Sequence, residues 1–480
     1  MIVFSLVKMT KETLYLLLLP IVILNGALAA PYVWDDFCEL PDNLKSEIRS
    51  YQPIVNKIIK SAISGPHKSK TYKELADFVD KFGYRISGSE NLEHAIDYML
   101  NKSISYKLDN VHGEPVMIPH WVRGHEEATL LSPRVTNLSI LGLGGSIATP
   151  PEGITAPVLV VESFDELKNK SNEAKGKIVV FVEKWVSYGI TVQYRDYAAV
   201  EGAKVGAVAT MIRSVTPFSI NSPHTGWQDY SDDVPKIPTA ALTVEDAYML
   251  LRMYKRGDKI IIRLKMEAKN MPPVPSRNTI SEIEGRQIKD KAVIVSGHLD
   301  SWDVGNGAMD DGGGAFISWY SLVLLKSLNL QPRRTIRAVL WTGEEPGLVG
   351  AVKYSKVHNK DEFVLLMESD EGTFTPEGIT FSGSKQANCI MEEILSLLSP
   401  INATKLELSN DVGSDISIWS NQGVPLASLL NKNEKYFWFH HSNGDTMTVE
   451  DPDVLDKCLA VWSSVAFVVA DLSVNLSRLK

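Results

Sequence analysis

The segment Ala292-Val-Ile-Val-Ser-Gly-His298-Leu-Asp300 places two chemically reactive side chains directly after an apolar run. A continuous apolar run of this length is typical of a strand that is buried on both faces of a parallel sheet. His298 and Asp300 are two residues apart, so they lie on the same face of an extended chain. A carboxylate beside a ligating imidazole can fix the tautomer of the ring and its basicity. Taken alone, however, a polar pair at a strand end is the ordinary explanation.

Four further segments carry acidic or histidine residues next to apolar runs. They are Met309-Asp310-Asp311-Gly-Gly-Gly314 before a predicted helix over 315–325, Gly343-Glu344-Glu345 after a predicted strand over 335–342, Glu368-Ser-Asp370 after one over 363–367, and His440-His441 in a turn-rich segment. Each alone has an ordinary explanation, such as a solvated acidic turn or a helix N-terminus. Open α/β sheets bind ligands beyond the carboxyl ends of their strands, so we expect these side chains to converge.

The expected convergence predicts a site for two metal ions. Carboxylates that are brought together raise one another's pKa, and divalent cations remove that repulsion. Histidines with several carboxylates suit zinc, whose bonds to these ligands are about 2.0–2.2 Å long. Two-metal hydrolases hold their ions about 3.5–4 Å apart, around the attacking water and the carbonyl oxygen. The residues themselves leave open which member of Asp310-Asp311 and of His440-His441 is the ligand.

Apolar patterning predicts an α/β fold. Residues 40–110 have helical spacing, residues 105–185 contain short strands, and the Pro-rich segment 271–276 is typical of a boundary. Beyond it, apolar runs alternate with helical segments, which is the signature of βαβ units around a parallel sheet. The net charge of -9 gives the chain no electrostatic attraction to nucleic acid.

The N-terminus predicts entry into the secretory pathway. Lys8 and Lys11 precede an apolar run over 14–24, and Ala27-Leu-Ala29 offers a small-residue cleavage site, so residues 1–29 form a predicted signal peptide. A membrane span needs about 20 apolar residues, and this run is shorter and contains Pro20. No membrane anchor is therefore expected after cleavage.

Secretion changes what the sequons and cysteines indicate. Five N-x-[ST] sequons become candidate glycosylation sites: Asn101, Asn137, Asn169, Asn402 and Asn475. The three cysteines are too few for a disulfide scaffold, and their odd number leaves at least one thiol unpaired or in an intermolecular bond. We expect Cys389 and Cys458 to be ordinary buried cysteines.

The motifs resemble those of the co-catalytic zinc exopeptidases, the family that includes bacterial zinc aminopeptidases and glutamate carboxypeptidase. The resemblance is densest over 290–375 and 410–470. It implies two Zn²⁺ ions per chain that share Asp310 as a bridging ligand. His298 and Asp370 would complete one zinc site, and Glu345 and His441 would complete the other. Preferring Asp310 to its neighbour, and His441 to its neighbour, rests on alignment with the family.

The resemblance also implies an activity. Glu344 would be the general base and then the general acid, and Asp300 would orient His298. The substrates would be small peptides, particularly dipeptides with free termini. Groups for the free carboxylate are sought in Ser442-Asn443-Gly444 and Gly413-Ser414-Asp415, which are equally explained as structural loops. The alternatives are an aminopeptidase on longer peptides and a noncatalytic receptor-like homologue, which the complete set of ligands disfavours.

The implied architecture is a mixed, mainly parallel sheet flanked by helices and interrupted by an insert. Residues 130–266 would form a β-rich protease-associated domain, and the peptidase domain would comprise 45–129 and 267–480. Residues 30–44 would be an N-terminal segment or propeptide. The family further implies a homodimer that is secreted or resides in lysosomes.

Overall fold

A computed structural model describes residues 38–478. The chain divides into two units, Met1–Glu39 and Leu40–Lys480, and almost all of the described residues belong to the second. The predicted signal peptide lies outside the described residues. Between residues 38 and 478, no helix is both long enough and apolar enough to cross a membrane.

The described part of the chain contains two eight-stranded sheets. Their strands are β1 Asp109–Val122, β2 Glu126–Ser132, β3 Thr136–Leu138, β4 Ile140–Gly142, β5 Ile154–Val161, β6 Ile178–Phe181, β7 Ala209–Arg213, β8 Thr239–Leu242, β9 Ile261–Met266, β10 Lys269–Ile283, β11 Ile288–His298, β12 Arg334–Trp341, β13 Phe363–Glu368, β14 Pro376–Ser382, β15 Lys405–Leu408 and β16 Leu426–Asn431.

Helices cover the sheets and connect their strands. They are α1 Asp42–Ser50, α2 Gln52–Ile63, α3 Lys70–Phe82, α4 Glu90–Ser105, α5 Phe164–Asn169, α6 Ser171–Ala174, α7 Tyr188–Thr191, α8 Gln193–Lys204, α9 Val244–Lys255, α10 Gly313–Ser327, α11 Val349–Val357, α12 Lys385–Ser396, α13 Tyr436–Phe439 and α14 Pro452–Asp471.

The first sheet has the order β1-β10-β12-β11-β13-β16-β14-β15. Its central strands β12, β11, β13 and β16 are parallel, whereas β1, β10 and β14 pair antiparallel with their inner neighbours. The prediction of a mixed, mainly parallel sheet flanked by helices is confirmed. The carboxyl ends of the parallel strands lie along one edge, where β11 ends at His298 and β13 at Glu368.

The predicted strand over 292–298 is the buried centre of this sheet. Residues 292–298 are all buried within β11. Helices α10 and α14 contact β11, and α10 is buried on all sides from Gly313 to Leu325. The indole of Trp319 donates to the Ser103 hydroxyl, 2.9 Å away, so this buried aromatic side chain has a polar partner.

The Pro-rich segment 271–276 is part of strand β10 and not a linker between strands. In this stretch β10 pairs only with β1, because its pairing with β12 begins at Thr279. Proline has no N–H to donate, so it is tolerated where one side of a strand is free. The change from one sheet to the other falls between β9, which ends at Met266, and β10, so the Pro-rich segment lies within a few residues of it.

The second sheet, β3-β2-β9-β5-β6-β7-β8-β4, is formed by residues 126–266. Strands β5 to β8 are parallel, helices α5 to α8 lie between them in sequence, and α9 follows β8. This segment coincides closely with the predicted insert over 130–266, and it contains helices as well as strands. Its identity as a protease-associated domain stays a prediction.

The cysteines differ from the expectation at one position. Cys458 is a buried thiol, as predicted. Cys389 is also buried, at 5% exposure, but it is disulfide-bonded, as is Cys38. The sequence offered no signal for this bond, since its formation depends on how the chain folds.

Candidate metal centre

The five predicted ligands converge at the carboxyl edge of the parallel strands. His298 ends β11, Asp370 follows β13, and Glu345 lies in the turn after β12. Asp310 lies in the segment Ala308–Gly312, which leads into α10 and has non-helical backbone angles at Asp310, and His441 follows α13. All five side chains are at least 85% buried. Side chains from every segment that the sequence had singled out therefore lie close together, and their role as metal ligands stays a prediction.

The two oxygens of Asp310 face different pairs of side chains. Its Oδ1 lies 3.2 Å from Nε2 of His298, and that nitrogen lies 3.3 Å from Oδ1 of Asp370. Its Oδ2 lies 3.3 Å from Nε2 of His441, and that nitrogen lies 3.0 Å from Oε2 of Glu345. The arrangement is two clusters of ligand atoms joined by one carboxylate.

The donor set fits divalent cations. Nε2 of His298, Oε1 of Glu345 and Oδ1 of Asp370 are buried, and none has a hydrogen-bond partner among residues 38–478. Burial raises the pKa of Glu345 to about 7 and raises the pKa of Asp370 well above its ordinary value. Buried carboxylates of this kind bind either protons or cations. Imidazole nitrogens and carboxylate oxygens together are typical zinc ligands.

Asp300 contributes in two ways. Its backbone carbonyl lies 2.9 Å from Nδ1 of His298, which leaves Nε2 facing Asp310. Its carboxylate is 3.9 Å from the same Nδ1 and accepts hydrogen bonds from the backbone N–H groups of Glu344 and Glu345, at 3.1 and 3.2 Å. The sequence indicated only the orientation of His298, whereas the carboxylate also fixes the turn that carries both glutamates.

The paired residues that the sequence left open have different surroundings. Asp311 uses its carboxylate to accept from the backbone N–H groups of His298 and Gly314, at 3.1 and 3.2 Å. His440 stacks flat on His441, with ring centroids 3.5 Å apart, and its Nε2 is 3.6 Å from Oδ2 of Asp310. By the distances between ligand atoms, both members of Asp310-Asp311 and both members of His440-His441 could bind a metal ion. The choice of Asp310 and His441 therefore stays a prediction.

Glu344 is held beside the clusters by a residue from another loop. The Ser414 hydroxyl donates to Oε1 of Glu344 at 2.5 Å, and Oε2 of Glu344 lies 3.9 Å from Nε2 of His298. The Ser414 backbone N–H donates to Glu368 at 2.7 Å. Of the two loops that the sequence proposed for the substrate carboxylate, this one instead contacts the predicted general base. In the other, Ser442 donates to the carbonyl of Phe439, so its hydroxyl is used within the turn.

Several residues that support the ligands carried no sequence signal. Arg85 is fully buried and donates to the carbonyls of Leu299, Asn306 and Gly307 at 2.7, 2.7 and 2.9 Å, which fixes the loop after His298. The carbonyl of Thr225 lies 3.2 Å from Nδ1 of His441. These contacts span more than 200 residues, and only folding brings the groups together.

The clusters open into a cleft of about 920 Å³. One wall comes from the second sheet and its loops, including Arg195, Gln228 and Asp229. Further lining residues come from the segments 407–414 and 428–433, which include the end of β15 and part of β16. A cleft of this volume is in the range of sites for small organic ligands.

Comparison with known proteins defines the class. Residues 278–466 match peptidase family M28. A crystal structure of a peptidase M28 precursor from Shewanella amazonensis is 32% identical, with a TM-score of 0.86 over 90% of this chain and 99% of that one. A zinc aminopeptidase from Bacillus subtilis, 20% identical, shares the fold with a TM-score of 0.66 over 86% of this chain and 98% of that one. The chain belongs to peptidase family M28 and is a zinc metallopeptidase.

Within that family, the chain is a relative of carboxypeptidase Q. It is 58% identical to carboxypeptidase Q of Xenopus laevis over 437 residues, which cover 91% of this chain and 93% of the relative. It is 55% identical to carboxypeptidase Q of Homo sapiens over 439 residues, with the same coverage of both chains.

Proposed function

We propose that this protein is a di-zinc exopeptidase that hydrolyses small peptides, in particular dipeptides with free termini. The observation that carries the proposal is the division of ligand atoms around Asp310. His298 and Asp370 would hold one zinc, Glu345 and His441 would hold the other, and Asp310 would contact both. Zinc ions bound in this way supply Lewis acidity, which polarises a peptide carbonyl and lowers the pKa of a bound water.

Glu344 is the proposed general base. Its carboxylate lies at the cleft, and the hydrogen bond from Ser414 occupies Oε1 and leaves Oε2 for the proton of the attacking water. The same carboxyl group then protonates the leaving amine, so no net proton is consumed at the side chain. Asp300 holds the backbone of the turn, which keeps this carboxylate at a fixed distance from the ligands.

The charges in the cleft support selection of free termini. Carboxylates away from the metal centre line its walls: Asp196, Asp229, Glu371, Glu407 and Asp411. They suit the protonated α-amino group of a peptide, because a charge that leaves water needs a partner. Arg195 is the one Lys or Arg among the described residues that line the cleft, and it suits the terminal carboxylate.

We also propose a secretory route, with a homodimer inferred only from the family. The asparagines of all five sequons are exposed, as glycosylation requires. The disulfide-bonded Cys38 and Cys389 suit an oxidising compartment. Secretion and lysosomal residence are both consistent with these features.

The test uses the mature protein after zinc loading and dialysis. Metal analysis is expected to give two zinc ions per chain, and a content well under one would contradict the proposed centre. The peptidase assay compares kcat/KM for Ala-Ala, N-acetyl-Ala-Ala, Ala-Ala-amide and pentaalanine. We expect the unblocked dipeptide to be much the best substrate. Equal values for all four would refute selection of the termini, while tolerance of C-terminal blocking alone would favour an aminopeptidase.

A further inference from the structure

Gln228 has a buried side-chain amide in the cleft wall that makes no hydrogen bond to the described residues. It is 2% exposed, and it lines the cleft that contains the metal centre. Neither Nε2 nor Oε1 has a hydrogen-bond partner within the described residues. Among Asn and Gln side chains between residues 38 and 478, it is the one whose amide nitrogen and oxygen are both buried and both unpartnered.

The loop that carries Gln228 is fixed relative to the metal centre. Three residues before it, Thr225 contacts His441 twice: its N–H donates to the His441 carbonyl at 3.0 Å, and its carbonyl lies 3.2 Å from Nδ1 of the ring. The backbone N–H of Gln228 donates to the carbonyl of Gly144 at 3.1 Å, and Trp227 forms a β-bridge with the same glycine. The backbone of Gln228 is therefore held by a segment that also supports a proposed ligand.

Outside the metal centre, Ser428 and Asn431 each have one buried polar atom without a partner in the cleft lining, and Gln228 has two. Asp229 accepts from the indole N–H of Trp227 at 3.1 Å, and the Asn433 amide donates to Glu371 at 2.6 Å. Because a buried polar group without a partner destabilises the folded protein, Gln228 costs stability in the unliganded state. We therefore expect the Gln228 amide to form hydrogen bonds to a ligand in the cleft.

The chemistry of the primary amide selects that ligand. Nε2 is a donor and Oε1 is an acceptor. A carboxylate would satisfy only the nitrogen, and an ammonium group would satisfy only the oxygen. A second carboxamide satisfies both through a pair of hydrogen bonds. Within the cleft of the proposed peptidase, a carboxamide can come from an Asn or Gln side chain of the substrate. A longer peptide offers an equivalent pair, because the backbone N–H and C=O of one extended residue point to the same side, whereas those of a single trans peptide bond point in opposite directions.

We propose that Gln228 is a specificity-determining residue that pairs with a carboxamide of the substrate, an assignment that rests on the proposed peptidase function. The test compares wild type with Gln228→Met, which keeps the length of the side chain and removes both polar atoms. The substrates are Ala-Gln, Gln-Ala, their methionine and glutamate analogues, Ala-Ala and trialanine. We expect wild type to prefer at least one glutamine dipeptide over its methionine analogue by about tenfold in kcat/KM. Gln228→Met should abolish that preference.

Further measurements distinguish a substrate side chain from the substrate backbone as the partner of Gln228, and they test for effects of the substitution on folding. If Gln228 instead pairs with the backbone N–H and C=O of one residue of a longer peptide, Gln228→Met lowers the kcat/KM of trialanine relative to that of Ala-Ala and leaves the glutamine preference unchanged. The midpoint of thermal unfolding should be equal or higher in Gln228→Met, because the variant loses only unpartnered atoms. The exposed Gln331→Met is the matched control and should change none of these ratios.

Two outcomes would overturn the assignment, and they can be distinguished. If wild type cleaves Ala-Ala and Gln228→Met lowers kcat/KM equally for every peptide, or for none, then Gln228 does not read a carboxamide although the peptidase function stands. If wild type cleaves none of the peptides, the proposed function itself fails, and the assignment fails with it.

Discussion

Arg85 is expected to be essential for the stability of the loop that carries Asp300. Its guanidinium donates four hydrogen bonds to backbone carbonyls: to Leu299 at 2.7 Å, Gly83 at 3.1 Å, Asn306 at 2.7 Å and Gly307 at 2.9 Å. Burial lowers the pKa of Arg85 to about 10, so the group is still charged at neutral pH. We take Arg85→Lys as the perturbation because it preserves the charge.

The expected loss follows from geometry. Arginine presents five N–H donors in a planar fork, whereas the three donors of lysine share one atom. We expect a lysine to replace about two of the four bonds. Each lost hydrogen bond to a charged group is worth about 1.5–3 kcal/mol, which gives a loss of about 3–6 kcal/mol. Domains are typically stable by only about 5–15 kcal/mol, so this loss is large.

Urea unfolding measures the loss, and Arg277→Lys is the matched control. The guanidinium of Arg277 likewise donates several hydrogen bonds, here to the carboxylates of Glu93 and Asp97, both at 2.9 Å. Unlike Arg85, it lies at the surface, with 31% of its side chain exposed. Exposed ion pairs contribute about 0–1 kcal/mol, so the control should be nearly neutral. An Arg85→Lys variant that lost no more stability than the control would refute the reasoning. Peptidase activity should fall in Arg85→Lys and not in the control, because Arg85 fixes the loop that carries Asp300, and Asp300 holds the turn that carries Glu344.

Three further predictions test the site and a distant ion pair. Glu344→Gln should retain zinc and lose about 10²–10⁴-fold in kcat, because an amide cannot accept the proton; an unchanged kcat would remove Glu344 from the mechanism. His441→Ala should lose one zinc per chain by metal analysis, whereas the same result for His440→Ala would reverse our choice between them. Burial acts to lower the pKa of His358, but Glu114, 2.9 Å away, raises it overall. Because the folded pKa is raised, the pair stabilises the protein at pH 5.5 and loses this contribution as the pH rises through that pKa. His358→Gln should therefore reduce the unfolding free energy more at pH 5.5 than at pH 9, and an equal reduction at both would contradict the assignment.

The sequence determined the parts of the fold that depend on local patterning. The apolar run over 292–298 predicted a buried strand, and β11 contains it. The predicted helix over 315–325 lies within α10, and the predicted strand over 335–342 coincides closely with β12. Polar residues that end such strands, as His298 does, could be assigned to one site because parallel strands share a carboxyl edge.

The same local logic failed where tertiary pairing decided the outcome. The Pro-rich segment over 271–276 indicated the change of sheet between β9 and β10 to within a few residues, but it lies inside β10, where it pairs with β1 alone. Cys389 has the setting of an ordinary buried cysteine, and only the folded chain brings it into a disulfide bond.

Only the tertiary structure decided which residues support the metal centre and which polar groups line the cleft. Arg85 lies 214 residues from Leu299, Thr225 lies 216 residues from His441, and Ser414 lies 46 residues from Glu368. None of Arg85, Thr225 and Gln228 belongs to a motif. The physical reason is that a periodic apolar pattern fixes which face of a strand or helix is buried, residue by residue. The hydrogen-bond partner of a buried polar group is instead set by which distant loop arrives beside it, and that is a property of the whole fold.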